Sequence, residues 1–457
     1  MKSGRESWKS NLGFILASAG SAIGLGAIWR LPYTMGQNGG GAFILLFLLL
    51  NFLVGVPLFM AELVLGRAAQ QGTVSCFARF APRQSMWVIG GWLACAAALL
   101  ILGWYCVVAG WGIHYALMAL SDAFAGKSAD QIGDLFHAFR ACGSLNVLFQ
   151  FLFVVFTGLI VSQGLSAGIE RYSRIMTLGL FILLVFLVLY GVTLPGFGEA
   201  VRYVFVPNWS AVTPAAVLKA LGLALFTLSL GYGPIMTYGS YMKPSQNIPQ
   251  TSLIIGMANF AVSVLIAMAL FPLIFSFGFA PTAGEGLVFQ ILPFVFEQLP
   301  AAMLLSVLFF VLLICTALTS AVSFLEVLVT NCMDLCNWSR KRSVWVACAA
   351  AFVFGLPTAL AQSGSLFNVW PEIYGESFLE TCSIVIDWLT SLAALITAVF
   401  VGWRLPNAVT REGFCEGSKW ARLYPVWIGC VRIVVPLAVS MILLGRCGLF
   451  NVLLREF

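Results

Sequence analysis

A chain of 457 residues that is 61% hydrophobic and 9% charged, with a mean hydropathy of +0.97, is too apolar for a water-soluble globule and reads as an integral membrane protein. Its net charge of +6 is spread over many loops, which excludes a concentrated nucleic-acid surface. There is no HExxH, no GxSxG with a partner histidine and no nucleotide loop, so the residues do not point to an enzyme. The 12 cysteines lack CxxC or Cys/His ligand spacing and read as small apolar fillers. Only for Cys142 and Cys382, near span ends, does a disulfide stay open.

The first apolar segment, NLGFILASAGSAIGLGAIWRLP (Asn11–Pro32), has no small-residue cleavage site and reads as a span rather than a signal peptide. Gly20, Gly24 and Gly26 interrupt its middle. Hydrocarbon offers no partners to freed backbone groups, so a break at mid-depth belongs beside a polar cavity. Half-helix ends facing such a cavity hold ions and charged substrates in many secondary transporters. At about 20 residues per crossing, eleven α-helical spans follow, near 11–35, 41–67, 86–121, 144–162, 166–192, 214–242, 249–278, 301–334, 343–361, 383–403 and 424–446. Basic residues such as Arg5, Arg67, Arg174, Lys243, Arg340 and Arg411 fall on one set of loops. Acidic residues such as Asp130, Asp134, Glu199, Glu372 and Glu376 fall on the other. The N-terminus is therefore expected in the cytoplasm, and an odd span count puts the C-terminus outside.

A second interrupted span, FTLSLGYGPIMTYGSYM (Phe226–Met242), comes five spans after the first, and its Gly231 and Gly233 echo Gly24 and Gly26. Glycine also permits close helix packing, which is the competing explanation for either break alone. Two breaks at matching places in consecutive five-span blocks point to an inverted repeat with a site at mid-membrane.

The motifs GSAIGLGAIWRLP, GQNGGGAF, FMAELVLGR, FTLSLGYG, CTALTS and IDWLTS, with RESW near the start, cover spans one to ten in order. On these residues the chain resembles the neurotransmitter:sodium symporter family, and within it bacterial amino-acid transporters with the leucine-transporter fold. The resemblance implies an all-α polytopic protein of two five-helix inverted repeats, spans one to five (11–192) and six to ten (214–403). A gate segment (1–10) precedes them, a connection (193–213) joins them, and a loop with the eleventh span (404–457) follows.

By the same resemblance, one sodium site between spans one and eight uses carbonyls of Gly20, Ile23 and Thr316 and hydroxyls of Thr319 and Ser320. Neutral oxygens suit a hard monovalent cation, although Thr and Ser hydroxyls also bond back to their own helices. The second sodium site is incomplete. Ala22, Thr227 and Asn259 match, but the family's asparagine after the break is Ala27, which supplies no side-chain oxygen. The positions that bind chloride in some members, or carry a glutamate in others, hold Phe47, Leu223 and Ser263. The expectation is coupling to one sodium without chloride.

Gly24 stands where monoamine carriers place an aspartate, which leaves the amides of Leu25 and Gly26 free for a substrate carboxylate. Tyr105 is expected to donate to the same carboxylate, and carbonyls near Phe226, Thr227 and Ser229 to accept the ammonium. Ile101, Phe226, Ser229, Tyr232, Ser320 and Phe324 would wall the side-chain pocket, favouring a neutral, apolar or aromatic amino acid. For Ile101 and Phe324 taken singly, plain helix packing is the competing reading.

Arg30 and Asp387 match the family's extracellular gate, with Phe226 as a lid. Arg5 and Asp334 match the cytoplasmic gate, packed by Trp8, Ser240 and Tyr241. Glu62 is expected to face the interior and accept backbone amides at the breaks. Glu326 fits either a scaffold or the cytoplasmic pathway. In span five Gly168 is present, but Leu178 replaces the proline that helps relatives unwind there. The whole reads as a sodium-coupled amino-acid symporter in a bacterial plasma membrane. Two other readings fit the same residues: a sodium-independent or proton-coupled carrier, and a substrate sensor with little turnover.

Overall fold

The computed structural model describes residues 6–81, 85–279, 286–361, 363, 366–367 and 369–447, without the side chains of Ala27 and Trp29. Among the described residues nine helices are long and apolar enough to cross a membrane. They are Gly41–Ala69, Val88–Leu120, Gly143–Ser162, Leu165–Val192, Ile248–Ser276, Ala302–Cys336, Arg340–Ala361, Phe378–Arg404 and Ala421–Arg446. These are spans two to five and seven to eleven. Spans one and six are each split in two. Span one runs Asn11–Ala22, then Gly26–Arg30 and Leu31–Gln37; span six runs Pro214–Thr227, then Pro234–Gly239.

Three of the four half-helices carry a start signal of their own. Ser10 caps the first, its hydroxyl accepting from the Gly13 N–H at 2.9 Å. Thr213 caps span six, with Pro214 in the first turn, and Pro234 opens its second half. Spans three and eight, 33 and 35 residues long, pack along each other through the centre and against spans four, nine and ten. The halves of span one lie on spans five and eight at one end and on spans six and seven at the other.

The apolar side chains left exposed, such as Leu49, Ile182, Leu189, Phe354 and Leu437, sit on the outer faces of the spans, where lipid would cover them. Leu178 is one of these, 44% exposed on span five. Gly168 lies in a π-helical turn, Leu165–Glu170, where an added Cβ would come within 2.1 Å of the Ile160 carbonyl. Its first role here is to let spans four and five meet. The described cysteines are all free: Cys142 pairs its thiol with the Ser144 hydroxyl, and Cys382 with that of Thr358. The disulfide left open above does not form.

Candidate substrate and ion site

Span one stops at Ala22, and Ile23 caps it, donating its N–H to the Ala19 carbonyl at 2.8 Å. The next helical turns begin at Gly26. Within the gap, the Leu25 N–H donates to the Tyr105 phenolic oxygen at 2.7 Å. A Cβ on Gly24 would lie 2.7 Å from both the Tyr105 oxygen and Ser320 Oγ, so a larger residue there would fill the space between them. In the span-six gap Ser229 has φ +54° and Gly231 φ +79°, a left-handed stretch that turns the chain between its half-helices. The Gly231 N–H donates to Glu62 Oε1 at 2.8 Å. Glu62 itself is 1% exposed.

The two gaps, with residues from spans three and eight, enclose a cavity. Its walls are Ser21, Ala22, Gly24, Gly26, Tyr105, Phe226, Thr227, Ser229, Tyr232, Ser320 and Phe324. Nine of the positions expected from the sequence are among them; Leu25 contributes through its backbone. Ile101 lies elsewhere, in a vestibule on the far side of Phe226 together with Trp104, Leu379 and Ile386. Three aromatic contacts close the cavity: Phe226–Tyr232 at 6.1 Å, Tyr232–Phe324 at 5.4 Å and Tyr105–Phe324 at 5.9 Å between centroids. Its volume is only ≈ 10 Å³, so these rings must part to admit anything larger than a water. Ser21 is an addition: its carbonyl accepts from Ser229 and Ser320, and its hydroxyl lies 2.7 Å from that of Ser323.

Beside the cavity, Thr319 Oγ1 donates to the Gly20 carbonyl at 2.7 Å and the Thr316 carbonyl at 2.9 Å. Three predicted cation ligands therefore converge across spans one and eight, with Ile23 buried at the break and Ser320 one residue along. The Thr316 hydroxyl instead bonds back to Leu312. At the second cation position, Asn259 Nδ2 donates to Thr227 Oγ1 and to Asn51 Oδ1, each at 3.1 Å. Ala22 lines the cavity nearby. Ser263 spends its hydroxyl on the Asn259 carbonyl, and Phe47 and Leu223 are buried. Asn51 was not foreseen; a lone asparagine in an apolar run was the available signal.

At the vestibule end Arg30 meets Asp387, Nη2 to Oδ2 at 3.0 Å, and lies over the Phe226 ring at 5.1 Å from its centroid. Arg446 of span eleven also reaches Asp387 Oδ2, at 2.9 Å, and was not anticipated. At the opposite end Trp8 is buried, donating Nε1 to the Tyr238 carbonyl at 3.0 Å and packing edge-on against Phe14, Tyr238 and Tyr241. Arg5 lies outside the described residues; Asp334 accepts from the Gly72 N–H. Glu326 lies at this end too, between the Tyr241 hydroxyl and Arg340, whose Nη2 stands 2.6 Å away. Glu170 accepts from Ser10 and from the Lys9 N–H, fastening the start of span one.

The sodium:neurotransmitter symporter family pattern matches residues 5–132 and 127–447. The chain belongs to that family. An uncharacterized sodium-dependent transporter of Bacillus subtilis, YhdH, is 37% identical over 97% of this chain and 98% of its own length. The sodium-dependent dopamine transporter of Caenorhabditis elegans is 27% identical over 91% and 77%. The crystal structure of MhsT in complex with L-phenylalanine superposes with a TM-score of 0.87 at 36% identity, covering 96% of this chain and 99% of that one. The leucine-transporter fold, a multi-pass membrane location and a transport rather than enzymatic role follow for this family member.

Proposed function

We propose that the protein couples sodium entry to uptake of a zwitterionic amino acid with an apolar or aromatic side chain, by alternating access across a bacterial inner membrane. The observation that carries this is the pairing of the Leu25 N–H with the Tyr105 hydroxyl at an open half-helix start. An N–H and an O–H held side by side, with no side-chain carboxylate at Gly24, suit a substrate carboxylate that would accept from both in place of their mutual hydrogen bond. Carbonyls freed at the span-six break face the ammonium. The aromatic walls exclude charged side chains, which would lose hydration there. The solved MhsT complex with L-phenylalanine supports the same class.

One sodium is assigned to Gly20, Ile23, Thr316, Thr319 and Ser320. Its bonds to the broken helix would favour the state open to Arg30, and its loss to the cytoplasm the state open to Trp8. The basic loops support a cytoplasmic Trp8 end and an Arg30 vestibule on the outside. In the second site Ala27 stands where relatives supply an asparagine oxygen, which supports a single-sodium stoichiometry. The engagement of Ser263 by its own helix supports independence from chloride.

A panel of twenty labelled amino acids in proteoliposomes, with and without a sodium gradient, tests this. The expected result is uptake of apolar or aromatic species that rises linearly with sodium below saturation. Uptake rising with the square of sodium concentration would defeat the stoichiometry; sodium-independent uptake would defeat the coupling. Proton coupling is the second reading, favoured by Glu62, a carboxyl group 1% exposed beside the span-six break.

A further inference from the structure

Asp387 is shared by two arginines that reach it from different spans. Arg30 approaches from the vestibule, which both residues line. Arg446, on span eleven, lines a small cavity with Asp387, Leu230, Thr390 and Ser391, and a wider one together with Arg30, Thr34 and Lys219. Both guanidinium groups contact the same oxygen, Oδ2, at 3.0 and 2.9 Å. The Asp387 side chain is only 13% exposed, and its backbone carbonyl is held by the Thr390 and Ser391 hydroxyls. Arg446 ends span eleven, whose last helix, Val435–Arg446, packs directly on span ten and on the first half of span six. There its charge also complements the helix C-terminus.

We infer that Arg446 is the standing partner of Asp387, and that it keeps this carboxylate compensated when Arg30 withdraws and the vestibule opens. This rests on the alternating-access reading above, in which the Arg30–Asp387 bridge is the outer gate. With Arg30 alone, opening would strand a largely buried charge, which strongly opposes separation. With Arg446 in place, Arg30 and the Phe226 ring beneath it leave without that penalty. Span eleven, outside the two repeats, is thereby a working part of the outer gate. Arg446 touches no substrate; it is a positioning residue for the gate.

The test is an introduced cysteine reporter, Ser383→Cys, on the vestibule wall, in a chain with Cys142, Cys382 and Cys447 replaced, the labelling of the same chain with Ser383 retained being subtracted. Its labelling by a membrane-impermeant maleimide in sodium, without amino acid, reports outward opening. Arg446→Gln is expected to slow labelling by about tenfold, and Arg446→Lys to restore most of the rate. In an Asp387→Asn background Arg446→Gln should change nothing, because the charge it serves is gone. Rates are read on surface-expressed protein. If Arg446→Gln fails to reach the surface, Arg446→Met, read against the parent and in the Asp387→Asn background with the same expected slowing and the same loss of effect, decides. A rate unchanged or faster in Arg446→Gln, or an equal effect in the Asp387→Asn background, overturns the inference. Labelling of the parent that ignores sodium would instead overturn the alternating-access reading on which it stands.

Discussion

The Leu25 N–H and the Tyr105 hydroxyl, 80 positions apart in sequence, meet at 2.7 Å across the gap in span one. The amide is a donor that the broken helix cannot satisfy internally, and the phenol is the group nearest to it. A carboxylate arriving between them would accept from both, replacing one hydrogen bond by two charge-assisted ones.

Removing one of those donors should weaken substrate binding more than it weakens the fold. Tyr105→Phe keeps the ring against Phe324 and loses the hydroxyl. A hydrogen bond to a charged group is worth about 1.5–3 kcal/mol, so affinity should fall roughly ten- to hundredfold. Equilibrium binding of labelled amino acid in saturating sodium measures it, and unchanged affinity would remove Tyr105 from the site.

Gly24→Ala places a methyl 2.7 Å from both Ser320 Oγ and the Tyr105 oxygen. Overpacking of this kind costs about 1–3 kcal/mol. The expected outcome is loss of substrate binding with sodium-dependent thermal stabilisation reduced less, since of the assigned sodium ligands only Ser320 meets the new methyl. Melting curves of the purified protein, with and without sodium, separate the two effects.

Thr319 is the hydroxyl on which the carbonyls of Gly20 and Thr316 converge. Thr319→Val preserves its shape and removes the oxygen. Half-saturation by sodium should rise about tenfold, a loss near 1.4 kcal/mol, while the amino-acid concentration dependence at saturating sodium stays close to the parent. Sodium titrations of uptake check this.

Glu62→Gln separates scaffold from proton carrier. Glutamine keeps an acceptor for the Gly231 N–H, so a scaffold role predicts retained, sodium-dependent uptake. A titrating role predicts uptake abolished or uncoupled from pH. Transport measured over a pH series at fixed sodium decides between them.

Cys142 probes orientation. Its contact with the Ser144 hydroxyl holds the thiol below the usual cysteine range, so more thiolate is present near neutral pH than for an ordinary surface cysteine. Impermeant maleimide added outside intact cells should therefore label the parent more than Cys142→Ser. The difference should grow as pH rises through the lowered value and fade as pH falls below it. Labelling only after permeabilisation would reverse the assigned orientation.

Much of this architecture was legible in the linear order of residues, because a bilayer imposes a length and a hydropathy on every crossing. The eleven spans, the gaps at Gly24 and Gly231, and most cavity walls follow from apolar runs, glycine interruptions and motif order. Arg30 with Asp387 and Thr227 with Asn259 followed from motif order, but other side-chain pairings between distant spans did not. Arg446 reads as an ordinary cation at a helix end, and Asn51 as a stray polar residue; only packing brings them to Asp387 and Asn259. Ile101 and Tyr105 lie one helical turn apart, yet the position of the Phe226 ring leaves one in the vestibule and the other in the cavity. Membrane thickness and backbone hydrogen bonding act locally and can be read along the chain. Which charges share an oxygen, and which ring divides one space into two, depends on how helices pack in three dimensions.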